Sequence, residues 1–333
     1  MRIIFMGTPA FAAEHLQALL DHPDRYEVAA VLTGPDKPQG RNRHVLPTPV
    51  KEIALAAAIP VLQPVTLAEK ELLPRLVALR PDCIVVVAYG FILRKNILDI
   101  PRFGCINIHA SLLPELRGAS PIQSALLHGK TQTGVTSMRM DAGVDTGRIL
   151  LQREIPIDPD DDCESLTRKL SRIGKACLLE TLDSLTDTSG PPDGRLQDNR
   201  HATYAGKIRK EMACLDFNKS ASALHNQVRA LNAWPVCHVH LPGPGGAAYD
   251  LKVLRTEVVD TPVTTKPPPP GTVVLGNGAT LAIQTGSQCL QLVTVQLPGK
   301  KPIPVRDFLN GHKIQEGCLA VSLPKGIIAS HAE

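Results

Sequence analysis

The stretch CINIHASLLPELRG, Cys105 to Gly118, decides the fold because it reads as a buried strand that ends in polar residues. Side chains alternate between the two faces of a strand, so Asn107 and His109 are predicted to lie on the same side. Two such groups at a strand end can donate hydrogen bonds to one developing oxyanion, as acyl transfer requires. The segment alone leaves an alternative open, a hydrogen-bonded core histidine beside a turn-forming asparagine.

Strands and helices alternate on both sides of this stretch. RIIFMG, YEVAAVLT, DCIVVVAYG and VTSMRM have the short apolar form of strands, whereas TPAFAAEHLQALL and SPIQSALLHG have helical periodicity. Alternation at this spacing implies parallel pairing with helices on both faces of the sheet. The sequence therefore predicts a doubly wound α/β domain with a mostly parallel sheet, whose ligands bind at the carboxyl ends of the strands.

The C-terminal part follows a different pattern. SLTRKLSRIGKACLLETLDSL is predicted to be a long amphipathic helix, and a polar stretch rich in Pro and Gly comes after it. Beyond this stretch, short strand-like runs such as VCHVHL, LKVLRTEVV and CLQLVTVQL are separated by turn residues, which is typical of a small barrel. The predicted organisation is an α/β domain over residues 1–185, a linker over 186–206 and an OB-like β-barrel domain over 207–333.

Composition excludes several classes of protein. The 333 residues are 43% hydrophobic and 20% charged, as in a soluble globular protein rather than a disordered or fibrous one. The N-terminal apolar run is too short for a signal peptide and no later run is long enough for a membrane span, so we expect a cytoplasmic protein without membrane contact. The eight cysteines form no CxxC pair, which fits a reduced cytosol.

Charge is uneven along the chain. From Lys207 onward the sequence has 13 Lys and Arg against 8 Asp and Glu, which favours a polyanionic partner such as a nucleic acid. Aromatic residues are only 3%, so phosphate contacts rather than base stacking are expected to hold that partner. An ordinary solvated surface is the alternative that charge alone leaves open.

Motifs of several other enzyme classes are missing from the sequence. The first turn, GTPAFA, lacks the GxGxxG of dinucleotide-binding folds, and no phosphate-binding loop is present. No serine stands in GxSxG, so a covalent acyl enzyme of that kind is not indicated. Neither the cysteines nor His238 and His240 have the spacing of a metal site, so no metal is expected. The mechanism that remains is direct transfer of a group from one bound substrate to another.

A second polar segment, MDAGVDTG from Met140 to Gly147, follows the strand VTSMRM. Its two carboxylates, two glycines and threonine are typical of a loop. Asp145 is predicted to reach His109 from this loop, where it would fix the tautomer of the imidazole or take a proton through it. A turn in which Asp and Gly tolerate left-handed backbone is the alternative.

The motifs NIHASLLPELRGASPI and DAGVDTG together resemble the signature of the folate-dependent formyltransferases. The resemblance implies a Rossmann-like formyltransferase domain and 10-formyltetrahydrofolate as the co-substrate. It implies a catalytic trio of Asn107, His109 and Asp145, in which the strand residues hold the formyl oxygen. The implied folate contacts are Ser111, Leu112, Leu113 and Pro114, with Val86, Tyr89 and Gly90 around the pterin ring.

Within this family the sequence most resembles the members that act on initiator methionyl-tRNA. TGPDKPQGR, TYAGKIRKE and LPGKKPIPVRDFLNG stand in the order that those members have. Binding of initiator methionyl-tRNA is therefore expected, and we expect a monomer. The basic residues predicted to contact the tRNA are Lys37, Arg41, Arg43, Lys207, Lys210, Lys300 and Lys301.

Other functions remain open at this point. Formyl transfer to an amino sugar nucleotide is disfavoured by the cationic segment at 37–43, and a non-catalytic RNA-binding protein on a decayed enzyme fold is disfavoured by the intact trio. Hydrolysis of the formylated folate is a further alternative, since water can replace the amine. Glu115 and Leu116 stand where members of the family more often carry a basic residue and an aromatic one.

Overall fold

The chain up to residue 206 forms the alternating strands and helices that its apolar pattern predicts. The structure, a computed structural model, describes residues 1–39, 44–185, 190, 193–261, 267–276 and 280–322. The strands of this part are β1 (Arg2–Gly7), β2 (Glu27–Leu32), β3 (Lys37–Gln39), β4 (His44–Leu46), β5 (Val61–Leu62), β6 (Cys83–Val87), β7 (Cys105–His109), β8 (Arg117–Gly118), β9 (Gln132–Arg139), β10 (Arg148–Pro156) and β11 (Tyr204–Ala205). Its helices are α1 (Ala10–Leu20), α2 (Pro49–Ala56), α3 (Leu72–Ala78), α4 (Lys95–Leu98), α5 (Pro121–Leu127) and α6 (Cys163–Leu185).

Seven of these strands form one sheet in the order β10-β9-β7-β6-β1-β2-β5. The pairs β1–β2, β1–β6, β2–β5 and β6–β7 are parallel. β9 is antiparallel to β7, and β10 is antiparallel to β9. The mostly parallel α/β sheet is thus confirmed, but parallel pairing of VTSMRM is wrong, and β10 is a strand that the sequence analysis missed.

The chain divides into two compact units. The first comprises Met1–Pro121, Gln132–Ile157 and Leu166–Gly206, and the second comprises Ile122–Thr131, Asp158–Ser165 and Lys207–Glu333. Most of α5 therefore belongs to the second unit and is not a crossover helix of the sheet. Because parallel neighbours need such a crossover, β9 is free to pair antiparallel to β7. The domain boundaries predicted from the sequence stay a prediction.

The middle of the seven-stranded sheet is buried. Every residue of β6 and β7 is buried, as expected for strands covered on both faces. Ile84 of β6 packs in one apolar cluster with Ile4 of β1 and with Leu72 and Leu76 of α3. Such a cluster fixes the backbone of the central strands, so polar side chains carried by them have fixed positions.

Helix starts show one agreement with local sequence rules and one departure from them. Thr48 precedes α2, and its hydroxyl accepts a hydrogen bond from the N–H of Lys51 at 3.2 Å. Thr8, whose sequence position suggests a cap for α1, instead accepts from the N–H of Gly34 at 3.1 Å. α1 begins after Pro9 without a side-chain cap. The hydroxyl of Thr8 therefore links the ends of two strands.

The helix α6 has 23 residues and confirms the long amphipathic helix predicted for this part of the sequence. Its buried stripe includes Leu166, Leu170, Leu178 and Leu182, with charged residues between them. In the part of the chain that the structure describes, no helix is both long and apolar enough to cross a membrane.

The second unit contains an antiparallel sheet. Its elements beyond residue 206 are α7 (Ala221–Leu231), β12 (His238–Pro242), β13 (Ala248–Val259), β14 (Val273–Gly276), β15 (Thr280–Gln284), β16 (Cys289–Gln296), β17 (Ile303–Pro304) and α8 (Val305–Gly311). Among the described residues the strand order is β12-β13-β16-β15-β14, with β17 paired to β16. This curled sheet forms a half-barrel, which agrees with the OB-like domain predicted from the short strands.

His15 in α1 is a fully buried titratable group of the first unit. Its Nδ1 lies 2.7 Å from the carbonyl oxygen of Phe11, and its Nε2 has no hydrogen-bond partner among the described residues. Burial lowers the pKa of His15 to about 4; the Phe11 carbonyl and Glu14 oppose this shift, and Lys175 adds to it. The folded protein therefore keeps the ring neutral at physiological pH, with Nδ1–H donating to Phe11.

We predict that His15 makes the protein less stable as the pH falls. In the unfolded chain the ring binds a proton near its ordinary pKa of 6.5, but in the folded chain only near 4, so its stabilising effect is present above pH 6.5 and is lost below it. Between pH 7.5 and 5 the loss is about 2 kcal/mol of unfolding free energy. Urea unfolding followed by circular dichroism should show that His15→Gln lacks this share of the pH dependence. His128→Gln, at an exposed histidine, is the control, and equal pH dependence in all three proteins would contradict the assignment.

Candidate active site

Asn107 and His109 lie on one face of β7, as the alternation of a strand predicts. They are 8% and 6% exposed. Asn107 is paired with Val86 of β6 and Met138 of β9, and His109 is paired with Thr136 of β9. Because β7 is hydrogen-bonded to a strand on each side, its backbone holds these two polar side chains in fixed positions.

The imidazole of His109 is oriented by two neighbours. Its Nε2 lies 3.0 Å from the carbonyl oxygen of Leu116. A carbonyl oxygen only accepts, so Nε2 carries a hydrogen, and Nδ1 is the acceptor in the neutral ring. Nδ1 lies 3.6 Å from Oδ2 of Asp145. Leu116 is buried with φ 57°, and its contribution to the site is this backbone carbonyl.

The carboxylate of Asp145 joins the two strand residues. Its Oδ1 accepts a hydrogen bond from Nδ2 of Asn107 at 3.4 Å, and its Oδ2 accepts from the N–H of Gly118 at 2.8 Å. The same Oδ2 faces Nδ1 of His109. The carboxylate is 14% exposed, and limited access of water strengthens the two hydrogen bonds that it accepts. The structure thus brings together the three side chains predicted to form the trio.

The loop that carries Asp145 runs from Met140 to Gly147 and is tightly folded. Oδ1 of Asp141 accepts from the N–H of Gly143 at 3.0 Å and from the hydroxyl of Thr146 at 2.6 Å. Asp145 has φ 53°, in the left-handed region that residues other than glycine seldom adopt. The loop predicted from the sequence is therefore present, and its left-handed residue is the aspartate that approaches His109.

The segment at 193–205 lies along the same part of the first unit. Arg195 and Ile149 exchange two backbone hydrogen bonds of 2.8 Å. The hydroxyl of Thr203 accepts from the N–H of Leu116 at 2.9 Å, and β11 pairs with β8 in parallel. This segment therefore holds in place the turn whose carbonyl orients His109.

Two residues of the site escaped the sequence analysis. Nε2 of Gln197 donates to the carbonyl oxygens of Asp145 and Gly147, at 2.9 and 2.7 Å. Arg117, which is 2% exposed, donates to Oε1 of Gln197. Neither residue belongs to a motif with known chemistry, and Gln197 is 52 positions from Asp145 in the chain. The motif TYAGKIRKE, which carries part of the family resemblance, lies close to Gln197 in the chain, but it gave no reason to select that residue.

The predicted folate contacts Ser111–Pro114 follow β7 directly. The hydroxyl of Ser111 donates to the carbonyl oxygen of Glu115 at 2.6 Å. The hydroxyl of Thr136 donates to the carbonyl oxygen of Ser111 at 2.7 Å and accepts from the N–H of Leu113 at 3.1 Å. Ser111 and Leu113 are buried, whereas Leu112 and Pro114 are half-buried. The turn is thus rigid, and the last two side chains are its accessible part.

The residues predicted to surround the pterin lie at the carboxyl end of β6 and just after it. Val86 and Tyr89 are buried in the apolar cluster of the sheet, Gly90 is exposed, and Ile92 is 67% exposed. The hydroxyl of Tyr89 has no hydrogen-bond partner within the described ranges, and burial raises its pKa. The exposed glycine and isoleucine that follow this buried strand fit the apolar lining of a site for a flat heteroaromatic ring.

The structure describes five of the seven basic residues predicted to contact the tRNA. Lys37 is exposed at the start of β3, which forms a hairpin with β4. Asp36 accepts from Nζ of Lys51 at 2.5 Å and from Nε2 of Gln63 at 2.7 Å, and Lys51 is the main cause that lowers the pKa of the Asp36 carboxyl. This network fixes the base of the hairpin. Arg41 and Arg43 lie outside the described residues. The other predicted contacts, Lys207, Lys210, Lys300 and Lys301 of the second unit, are exposed.

Similarity to known proteins identifies the family. Residues 1–182 match the family described as formyl transferase, and residues 207–313 match its C-terminal domain. The methionyl-tRNA formyltransferase of Pseudomonas fluorescens is 45% identical over 313 residues, which cover 94% of this chain and 94% of that protein. The chain belongs to the formyltransferase family. The methionyl-tRNA formyltransferase of Ectopseudomonas mendocina is 44% identical over 315 residues, covering 95% of this chain and 96% of that one.

Solved structures of formyltransferases share the fold. WlaRD, described as a sugar 3N-formyl transferase, matches with a TM-score of 0.61 and 20% identity over 90% of this chain and 99% of its own. The N-formyltransferase of Helicobacter canadensis matches with a TM-score of 0.61 and 17% identity, covering 88% of this chain and 99% of its own. At such identities the likeness concerns the fold alone, and it confirms the fold predicted from the sequence.

We predict that Gly118→Ala damages the site of this formyltransferase. Gly118 has φ 117°, and an added Cβ would lie 2.6 Å from the carbonyl oxygen of Ala205 in β11. Since the N–H of Gly118 binds Asp145, any relief of this clash moves the carboxylate. Urea unfolding should show a loss of about 2 kcal/mol, and formyl-transfer assays a kcat lower by about tenfold or more. Gly206→Ala, whose Cβ meets nothing within 4 Å, is the control, and full activity of Gly118→Ala would contradict this reading.

Proposed function

We propose that this chain transfers the formyl group of 10-formyltetrahydrofolate to the α-amino group of initiator methionyl-tRNA, for translation initiation. Identities of 45% and 44%, over nearly the whole chain, to proteins named methionyl-tRNA formyltransferases support the reaction and its acceptor. The single observation that carries the chemistry is the convergence on Asp145, which has polar atoms of Asn107 and His109 within 3.4 and 3.6 Å of its carboxylate.

Formyl transfer to an amine requires an oriented nucleophile, stabilisation of a negative oxygen and movement of one proton. When bound, 10-formyltetrahydrofolate supplies a formyl group attached to a nitrogen that can leave. The amine nitrogen bonds to the formyl carbon, and the bond from that carbon to the folate nitrogen breaks. The amine loses one proton and the folate nitrogen gains one. The electron pair that moves onto the formyl oxygen returns when the second bond breaks.

Asn107 and His109 are suited to bind the formyl oxygen as it becomes negative. The amide nitrogen of Asn107 has two hydrogens, of which one is directed at Asp145 and the other is available. Because Nε2 of His109 is bound to the carbonyl of Leu116, Nδ1 is the ring atom that serves the reaction. In the charged ring Nδ1–H donates to the oxygen, and in the neutral ring Nδ1 accepts the proton that the amine releases.

Asp145 has two tasks in this scheme. Its carboxylate orients the amide of Asn107, and its negative charge stabilises the ring of His109 when that ring takes up a proton. The N–H of Gly118, at 2.8 Å, keeps the carboxylate oriented while the charge on the ring changes. Orientation of this kind is established before the substrates arrive, so it costs nothing during the reaction.

The folate would be held by the turn at Ser111–Pro114 and by the chain that follows β6. Leu112 and Pro114 are accessible in the first, and Ile92 gives the second an exposed apolar side chain. Val144, next to Asp145 in the chain, is also an exposed apolar residue, at 51%. Apolar contacts with few polar groups among them are usual for a heteroaromatic ligand. With the ring held by apolar contacts, the polar side chains of the trio are available to bind the formyl group.

Binding of the tRNA is proposed to use phosphate contacts from both units, since exposed lysines supply such contacts most directly. The residues proposed for this role are Lys37, Arg41, Arg43, Lys207, Lys210, Lys300 and Lys301. We further propose a cytoplasmic monomer that requires neither a membrane nor a metal. These statements stay predictions, as do the roles assigned to the trio.

Transfer of a radiolabelled formyl group tests the function. The purified chain, with labelled 10-formyltetrahydrofolate, should formylate charged initiator tRNA with a kcat/KM at least about tenfold above that for charged elongator tRNA. An amino sugar nucleotide should neither accept the label nor compete. Preferred transfer to the sugar, or release of formate without transfer to either acceptor, would overturn the proposal.

We predict that His109→Ala and Asp145→Asn each lower kcat by about 100- to 1000-fold, which is the usual effect of losing one group that stabilises an oxyanion. The KM for tRNA should change by no more than about threefold, because neither side chain belongs to the proposed RNA contacts. Steady-state kinetics with both substrates measures the two constants separately.

Matched substitutions at exposed positions are the controls for that experiment. His128→Ala and Asp99→Asn make the same chemical changes at exposed residues, and kcat should be unaffected. If Asp145→Asn retained normal turnover, the roles assigned to the trio would be wrong even if the acceptor were the proposed one.

We predict that Lys37→Ala raises the KM for tRNA without changing kcat or the KM for the folate. Loss of one phosphate contact should also reduce the slope of log(kcat/KM) against log salt concentration by about one. Rates measured over a range of salt concentrations give this slope. Lys70→Ala, at another exposed lysine of the first unit, should leave it unchanged. Equal slopes for Lys37→Ala and the native chain would remove Lys37 from the interface.

A further inference from the structure

Gln197 has a hydrogen-bonding pattern that links the backbone of the Asp145 loop to a buried arginine. Its Nε2 donates to the carbonyl oxygens of Asp145 and Gly147, at 2.9 and 2.7 Å. Its Oε1 accepts from Nε and Nη2 of Arg117, at 3.1 and 2.8 Å. Both hydrogens of the amide nitrogen are used and its oxygen accepts twice, so the side chain has one orientation only.

Arg117 keeps this glutamine in position. Its side chain is buried, and its Nη2 also donates to Oδ1 of Asn199 at 2.9 Å. Its backbone N–H donates to the carbonyl oxygen of Thr203 at 2.9 Å, within the pairing of β8 and β11. Arg117 is therefore held by the segment at 193–205 both at its guanidinium and at its backbone. A rigid partner of this kind can hold a loop that has unfavourable backbone angles.

The loop needs such support at Asp145. With φ 53°, this residue has a backbone conformation that costs of order 1–3 kcal/mol for a side chain other than glycine. Two of the three carbonyl groups from Asp145 to Gly147 are bound by Gln197. The carboxylate on the other side of the residue is bound by the N–H of Gly118, the direct neighbour of Arg117. The backbone and the side chain of Asp145 are thus fixed by one continuous network.

We infer that Gln197 and Arg117 are positioning residues for the transfer reaction, which act by keeping the carboxylate of Asp145 against His109 and Asn107. The inference rests on the proposed function, in which Asp145 orients these two residues. It extends the active site to a segment that composition marks only as a polar stretch rich in Pro and Gly. Neither residue touches the reacting atoms, so their effect on turnover passes entirely through Asp145.

The chain supplies a matched control for Gln197. Nε2 of Gln227 in α7 also donates to two carbonyl oxygens, those of Met212 and Cys214 at 2.8 and 2.7 Å. Removal of either side-chain amide leaves two backbone carbonyls without their donor, and the cost to stability should be no smaller at Gln227, which is buried, than at the half-buried Gln197. Only Gln197 is bonded to the Asp145 loop, so only its removal should alter catalysis.

The experiment compares Gln197→Ala with Gln227→Ala in the full chain. Gln197→Ala should lower kcat by about 10- to 100-fold, as displacements of about 1 Å in an active site do. Its KM values for 10-formyltetrahydrofolate and tRNA should stay within about threefold of the native ones. Gln227→Ala should lose a similar amount of thermal stability and keep its kcat. Equal kcat in the two variants, or a loss confined to KM, would overturn the inference.

Gln197→Glu keeps the test valid if Gln197→Ala does not fold. The carboxylate retains the length of the side chain and its contact with Arg117, but it cannot donate to the carbonyls of Asp145 and Gly147. The ion pair with Arg117 offsets part of the loss of these two hydrogen bonds, so stability should fall less than in Gln197→Ala, while kcat should fall as in that variant. Normal kcat in Gln197→Glu would show that the two donated hydrogen bonds have no part in turnover.

A double-mutant cycle separates this inference from the proposed function. If Gln197 acts through Asp145, then Gln197→Ala should lower the kcat of Asp145→Asn by less than about threefold. Multiplicative effects would mean that Gln197 acts by another route, which would overturn the inference and leave the proposed function intact. Normal turnover of Asp145→Asn alone would overturn the inference and the role assigned to Asp145, whereas the transfer assay with the three acceptors would still decide the reaction itself.

Discussion

The carboxylate of Asp145 is the group on which the arrangement of the site depends. It accepts hydrogen bonds from Asn107 on β7 and from the backbone of Gly118 on β8, and it faces the ring of His109. Removing a carboxylate from water is costly unless donors replace the water, so these elements must be assembled together before the charge is accommodated. This requirement explains why β8 pairs with β11. β8 has only two residues, so it needs a partner strand to hold the N–H of Gly118 in place.

The antiparallel direction of β9 determines how the loop reaches the site. The N–H of Met140 donates to the carbonyl oxygen of Cys105 at 2.8 Å, so the loop starts beside the amino end of β7. From Cys105 to His109 the strand rises by about 13 Å. Five residues can span up to about 17 Å, which is enough to bring Asp145 along the face of β7 to both polar side chains. A parallel β9 would begin its loop at the opposite end of the strand.

The parts of the site that sequence could predict are those governed by local rules. Asn107 and His109 share a face because strands have a period of two residues, and MDAGVDTG is a loop because its composition excludes a helix. The contact of Asp145 with His109 was one of two interpretations of that loop, and the resemblance to formyltransferases favoured it over a simple turn. Gln197 obeys no local rule, since its contacts are made by a side chain across 52 positions. The antiparallel β9 was missed because a helical sequence between two strands does not reveal which unit the helix joins.

The side-chain hydrogen-bond partners of Arg117 are amides rather than carboxylates. Its guanidinium is buried and donates to the amide oxygens of Gln197 and Asn199. A carboxylate in either position would neutralise the arginine locally. An amide at position 197 accepts from the guanidinium and also donates to the backbone carbonyl of Asp145, which a carboxylate cannot do. The buried arginine thus fixes Gln197, Gln197 fixes the backbone of the Asp145 loop, and the N–H of Gly118, the neighbour of Arg117, fixes the carboxylate itself.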